Sequence, residues 1–241
     1  MPEPLSDPTI LVPIDASDAE EPSSALVELL HPHQLVVLGY YPVPDQTATE
    51  QSREQFGEAA IDHTDAIAEQ FGGYGGGAES VVVFTHDRDQ TIDNIADEYE
   101  VDAVLTPGAV GDTLDRILVP LRGDSNLERI LGFVGVMLRE SDATATVYHV
   151  ADSEEDRSRG ELLVRGACDR LVEDESIGAD RVDWRNERAE SATDAIVDAA
   201  TEYDLLIVGE SEPSLTERIL GDVTDRVIAE SSDPLLIVRD R

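Results

Sequence analysis

The chain has 241 residues, and its 53 Asp and Glu against 17 basic residues, all of them arginine, give a formal charge of −36. One cysteine excludes a disulfide framework, and a chain with no basic stripe for phosphates is a poor candidate for nucleic-acid binding. No uncharged apolar run approaches the ~18 residues of a membrane span, and the first residues lack a basic segment followed by an apolar one, so a cytoplasmic protein without membrane insertion is expected.

After a polar, proline-containing start, Ile10 to Ile14 is a short apolar run suited to a buried parallel strand. Ser23 to Leu30 reads as a short helix and Leu35 to Tyr40 as a second strand. A loop over Pro42 to Thr49 leads into a helix over Glu50 to Phe71, with Phe56, Ala60, Ile67 and Phe71 as its stripe. The glycine run Gly72 to Gly77 follows that helix and precedes a strand, Ser80 to Phe84. A phosphate loop needs the reverse order, so the run reads as a connector. A helix over Thr91 to Tyr99 and a strand over Ala103 to Thr106 follow.

The order then recurs. Strand Ile117 to Leu121 precedes helix Asn126 to Arg139, strand Thr144 to His149, helix Arg157 to Asp174, strand Arg181 to Arg185, helix Ser191 to Glu202 and strand Leu205 to Val208. A loop from Gly209, a helix around Glu217 to Glu230 and a strand over Leu235 to Val238 have no counterpart earlier in the chain. The recurrence is also literal. Ile10-Leu11-Val12-Pro13 returns as Ile117-Leu118-Val119-Pro120, and Asp93-Asn94-Ile95-Ala96-Asp97 before Asp102-Ala103-Val104-Leu105 returns as Asp194-Ala195-Ile196-Val197-Asp198 before Asp204-Leu205-Leu206-Ile207. The reading is a tandem repeat of one α/β unit. Residues 1–112 form a truncated copy with four parallel strands and residues 113–241 a complete copy with five. Alternating strands and helices imply parallel sheets with right-handed crossovers, and ligands at the carboxyl ends of the strands.

The Ile-Leu-Val-Pro strand, the Ala195-Ile196-Val197 helix before Asp204 to Gly209, and the ending Asp233-Pro234-Leu235-Leu236-Ile237-Val238-Arg239 resemble the universal stress protein family, in two copies over nearly the whole chain. The resemblance implies a Rossmann-like, adenine nucleotide alpha hydrolase-like fold. With the charge, it suggests a haloarchaeal-like member from a salt-rich cytoplasm, since at about 1 M salt the Debye length falls to about 3 Å and self-repulsion is screened. Nucleotide-binding members carry Asp at the end of the first strand and a loop Gly-x2-Gly-x9-Gly-Ser/Thr after the fourth. Glycines let backbone N–H groups approach phosphates there, and the loop feeds a helix N-terminus. In the second copy Pro120 and Arg122 close the first strand, with Arg122 in place of the Asp. Val208 and Gly209 open the loop, Glu212 replaces the second glycine, and Gly221 arrives one residue early. Asp222 replaces the Ser/Thr, followed by Val223 and Thr224. The first copy keeps Asp15, Gly108 and Gly111 and nothing of the rest.

Glu210, Glu212, Glu217, Asp222 and Asp225 surround the place of a triphosphate, opposed locally by Arg218 and Arg226. A like charge near phosphate costs on the order of 1–4 kcal/mol, enough in sum to erase micromolar binding. Magnesium bridging carboxylates to phosphates would reverse the sign. Arg122 is either a solvated side chain or an internal partner for Glu212 or Asp222.

Other candidates read as structural. Cys168 lies beside Ala167 and Leu171 without a His or Asn partner nearby; His31 and His33 flank Pro32, and Asp87 and Asp89 suit a solvated acidic loop. Two functions follow. One is a non-catalytic regulatory or stress-response protein with a degenerate nucleotide site and no expected cofactor, acting through dimerisation or docking on a protein such as a transporter. The other is an ATP/ADP-binding sensor with magnesium and at most slow ATP hydrolysis. The apolar strand Leu235 to Val238, expected at a sheet edge, is the expected homodimer contact.

Overall fold

The computed structural model describes residues 7–18, 21–72, 77–106, 108, 113–210 and 234–240. Strands β1 (Thr9–Asp15), β2 (Gln34–Pro42), β3 (Ala78–Thr85) and β4 (Ala103–Thr106) alternate with helices α1 (Ser24–Leu30), α2 (Thr49–Gly72) and α3 (Arg88–Glu98). Strands β5 (Arg116–Pro120), β6 (Thr144–Ala151), β7 (Val182–Arg188), β8 (Leu205–Gly209) and β9 (Leu235–Val238) then alternate with α4 (Leu127–Arg139), α5 (Glu154–Glu173) and α6 (Ala192–Ala200). Helix starts are written in the sequence. Ser23, Asp87, Ser153 and Ser191 each accept from a first-turn N–H, at 3.0–3.2 Å. The Ser153 cap begins α5 three residues earlier than the apolar spacing suggests, with Glu154, Glu155 and Asp156 favourably placed in its first turn. The expected strand at Arg181 begins one residue later, because Ala179–Arg181 forms a 3-10 turn. The expected helix at Glu217 to Glu230 and the core of the glycine run, 73–76, lie outside the described residues.

The described strands form one mostly parallel nine-stranded sheet in the order β3-β2-β1-β4-β9-β8-β5-β6-β7. Within β1–β4 and within β5–β9 neighbouring strands are parallel; β4 and β9 pair antiparallel over Ala103–Val238, Val104–Ile237, Leu105–Leu236 and Thr106–Leu235. This corrects the expected position of the C-terminal strand. Strand β9 has no free edge: β8 occupies one side and β4 the other. The physical reason is the shortness of the first half. With four strands among its described residues, it leaves one side of β4 open, and that row of N–H and C=O groups is filled by β9. A homodimer contact through the C-terminal strand therefore has no edge to use. The ends of the sheet are β3 and β7 instead.

Helices cover both faces. Along β9, Leu236 and Val238 join one core and Leu235 and Ile237 the other, the two-residue alternation of a strand. On the first face Leu30, Phe71, Phe133 and Leu171 from α1, α2, α4 and α5 pack into a single core across both halves of the chain. On the second, Ile92 and Ile95 of α3 and Ile196 and Val197 of α6 head separate clusters.

The recurring Asp before β4 and β8 has a structural role. Asp102 Oδ2 accepts from Thr9 N at 2.9 Å, and Asp204 Oδ2 accepts from Asp115 N and Arg116 N, each at 2.9 Å. Each aspartate ties the start of the fourth strand of its half to the start of the first. Asp204→Ala hands two exposed backbone donors back to water and should cost about 1 kcal/mol in urea unfolding at high KCl. Asp102→Ala should cost at least as much, because Arg129 Nη2 also rests on its other oxygen, at 2.7 Å.

Candidate functional site

Because β4 and β9 are antiparallel, the carboxyl ends of β1–β4 and of β5–β9 lie at opposite edges of the sheet. The sequence-predicted residues therefore separate into two places. At the first edge Asp15 ends β1, and its Oδ1 accepts from Ser17 N at 2.8 Å and Ser17 Oγ at 2.6 Å, a turn built by the carboxylate itself. Beside it Tyr40 ends the run of β2 against Asp15 in register, with the Arg88 guanidinium 5.3 Å from its ring centre. Burial pushes the Tyr40 hydroxyl above its ordinary range. Asp87 is committed as the cap of α3, and Asp89 lies 3.5 Å from Arg88. Gly108 is described; Gly111 is not.

At the second edge Pro120 ends β5 with Arg122 two residues beyond it, and Val208 and Gly209 end the neighbouring strand β8. Arg122 is exposed and makes no hydrogen bond or ion pair among the described residues; Glu212 and Asp222, its expected partners, lie outside them, as do Gly221, Val223 and Thr224. Val208 is core, 8% exposed in the cluster under α6. Gly209 has a packing reason to be glycine, since a Cβ there would sit 2.6 Å from Ile130 Cδ1 on α4. The entry to α4 is tight: Asn126 adopts the left-handed region at φ 55° and sends its side-chain amide toward Val238 O at 3.4 Å. Glu210 N donates to Val238 O at 2.8 Å, and Glu210 Oε2 accepts from Asp240 N at 2.9 Å, so the first acid of the loop is tied to the chain leaving β9.

Sequence reasoning missed the acids that the first half brings to this edge. Arg129, in the first turn of α4, pairs with Asp102 at 2.7 Å, and Arg239, just past β9, pairs with Asp97 at 2.7 Å. Both guanidiniums flank the carboxyl ends where phosphates would lie, and both are taken by carboxylates from α3 and the start of β4. Asp93 of α3, 5% exposed, is held up to about 6 by burial, an effect that Arg239 opposes and Asp97, Glu210 and Asp89 reinforce. The repeated Asp93/Asp97 pattern was visible; that it faces the other half's ligand edge was not. His149 stands singly in the sequence, without ligand spacing. Buried at 4%, its Nδ1 donates to Leu121 O at 2.8 Å, while Nε2 lies 3.4 Å from Asp156 Oδ2 without hydrogen-bond geometry.

Burial pushes the Cys168 thiol up to about 12, so its thiolate is absent at neutral pH. Burial lowers His33 to about 4. Among the described residues no group of three or more His, Cys, Asp or Glu is arranged to hold a metal, and no helix is long and apolar enough to cross a membrane. An open pocket of about 480 Å³ between α1 and the chain around Asp115 lies at the amino ends of β5 and β6, the wrong end of a parallel sheet for a ligand.

A family model described as the universal stress protein family matches residues 113–239. No match is found among curated proteins. Among solved structures, a universal stress protein from Archaeoglobus fulgidus DSM 4304 superposes with a TM-score of 0.67 at 18% identity, over 96% of this chain and 98% of that one. A putative universal stress protein from Pseudomonas aeruginosa UCBPP-PA14 gives 0.57 at 13% identity, over 97% and 94%. The cytoplasmic domain of a prokaryotic cation chloride cotransporter gives 0.54 at 14% identity, over 98% and 96%. At these identities the neighbours show the shared fold.

Proposed function

The chain belongs to the universal stress protein family, and from that premise we propose that it is a non-catalytic regulatory or stress-response protein whose nucleotide site has degenerated. In this reading residues 1–112 are a truncated copy of the family unit and residues 113–241 a complete one, in a cytoplasmic protein of haloarchaeal type. The observation that carries it is the pairing of Arg129 with Asp102 and of Arg239 with Asp97. A triphosphate at the carboxyl ends of β5 and β8 has to compete with those acids for two guanidiniums, and meets Glu210 as well. Arg122 standing in place of the strand-end carboxylate, and Asp222 in place of a hydroxyl, add to the mismatch. The protein then acts through its surfaces on a protein partner. The likeness to a cotransporter cytoplasmic domain supports a transporter as the class of partner.

The second reading, an ATP/ADP-binding sensor with magnesium and at most slow hydrolysis, draws support from Arg122 itself, an exposed cation at the strand end without an ion pair among the described residues. A native mass spectrum of protein purified in high KCl separates the two. The degenerate-site reading expects the bare chain mass; a retained adenine nucleotide at near-stoichiometric level sinks it in favour of the sensor.

A further inference from the structure

Among the described residues the sheet ends in two strands paired on one side only, β3 and β7, and their charge differs. Of the 17 basic residues only Arg53 and Arg88 precede residue 113, so the second half holds the other 15. Joining two first halves through β3 sets acid against acid, and β3 carries Glu79 as its one charge, so nothing on it fixes a register. Strand β7, Val182-Asp183-Trp184-Arg185-Asn186-Glu187-Arg188, alternates in sign along one face at Asp183, Arg185 and Glu187.

The ladder fixes which backbone groups point outward. Ala189 N donates to Ala151 O at 3.2 Å where the β6–β7 pairing ends. With a period of two, the N–H groups of Asp183, Arg185 and Glu187 therefore turn to β6, and those of Val182, Trp184 and Asn186 turn away. Trp184 N accordingly donates to Asp183 Oδ1, at 2.8 Å. Val182 and Trp184 pack against the first core, which leaves Asp183, Arg185 and Glu187 on the opposite face. Asp183 is exposed and has no ion pair among the described residues, while Arg185 Nη2 lies 2.7 Å from Glu187 Oε2.

We propose that β7 is a homodimer edge: two copies pair antiparallel through it, each Trp184 facing the other, and the sheet continues across both. Outward groups then meet outward groups, Trp184 with Trp184 and Val182 with Asn186. On the charged face Asp183 meets the second copy's Arg185, and the two-fold axis makes that pair twice. Neighbouring registers do worse. Centring on Arg185 sets Arg185 against itself and Asp183 against Glu187. Centring on Asn186 leaves Asp183 beside Ala189, beyond the strand, and offers Arg185 only a second Glu187. An edge built to repel its own copy would oppose like charges in the register centred on Trp184 as well. The edge is the same with or without a nucleotide, so the proposal stands apart from the reading of the nucleotide site.

In high KCl the wild type should sediment as a dimer. The Trp184 and Asn186 amides should be protected from exchange in concentrated protein and released on dilution, while those of Arg185 and Glu187, bonded to β6, stay protected throughout. Asp183→Arg should weaken the dimer on the order of tenfold, because it opposes two arginines at both symmetric positions. It also makes the chain less acidic, which by net charge alone would tighten association. Glu58→Arg makes the same change of charge on α2, in the other half, and should not weaken the dimer. A wild type still monomeric at millimolar concentration, Trp184 and Asn186 amides that exchange as fast in concentrated as in dilute protein, or a dimer that Asp183→Arg leaves as tight as Glu58→Arg does, overturns the proposal.

Discussion

In dilute buffer the protein should melt at markedly lower temperature or lose its cooperative transition, and above roughly 1 M KCl it should fold tightly. The cause is the formal charge of −36. Salt acts on two opposing terms. It weakens exposed ion pairs such as Arg165–Glu161, 2.7 Å apart on α5, but each of these is worth only about 0.3–0.5 kcal/mol. It also screens the repulsion among acids that outnumber bases 53 to 17, a term that grows with the net charge and has no local partner to offset it. The second term wins. The junction pairs of Arg129 and Arg239, with side chains 26% and 13% exposed, lose least to screening and hold the halves together at high salt. Circular dichroism against KCl reads the balance; the same melting temperature in dilute buffer and in about 2 M KCl would falsify it.

Gly160→Ala should be among the most damaging single changes, at about 3 kcal/mol. The two halves fill the same place in opposite ways. Gly39 on β2 and His149 on β6 hold equivalent register positions beside the first strand of their half. In the first half the strand is small and the helix large: a Cβ on Gly39 would fall on Thr64 Oγ1 of α2. In the second the strand is large and the helix small: a Cβ on Gly160 of α5 would fall on the His149 ring, 2.6 Å from Nε2. The buried His149 side chain cannot swing out, because Nδ1 is held by Leu121 O at 2.8 Å. His149→Ala placed on Gly160→Ala should therefore recover much of the loss, although His149→Ala alone is destabilising. Coupling of this sign in a double-mutant cycle of urea unfolding supports the packing swap. A cost below about 1 kcal/mol for Gly160→Ala, or simple additivity with His149→Ala, refutes it.

The strands were legible because buried parallel strands are near-continuous apolar runs, and the recurrence of Ile-Leu-Val-Pro marked their order. The place of β9 was not. A repeat states which strand is extra, but only the open side of β4 decides where that strand pairs, and that vacancy belongs to the other half of the chain. The site was legible only in part for the same reason. The partner of Arg129 lies 27 residues away in sequence and that of Arg239 142 residues away, beyond any motif window. The shared Asp102 and Asp204 were visible as a match, yet their work is to hold strand ends rather than a ligand. Gly209 fits a phosphate loop by pattern, while its contact with Ile130 supplies a packing reason that no pattern shows.

Whether the loop after Gly209 still takes a nucleotide is tested most directly by titration calorimetry with Mg-ATP at high KCl. The degenerate-site account predicts no saturable heat for the wild type at a dissociation constant tighter than about 100 µM, and a measurable gain of binding in Glu212→Gly with Asp222→Ser. One-to-one binding of the wild type at low micromolar strength, abolished by Arg122→Ala, contradicts the account and makes the protein a nucleotide sensor.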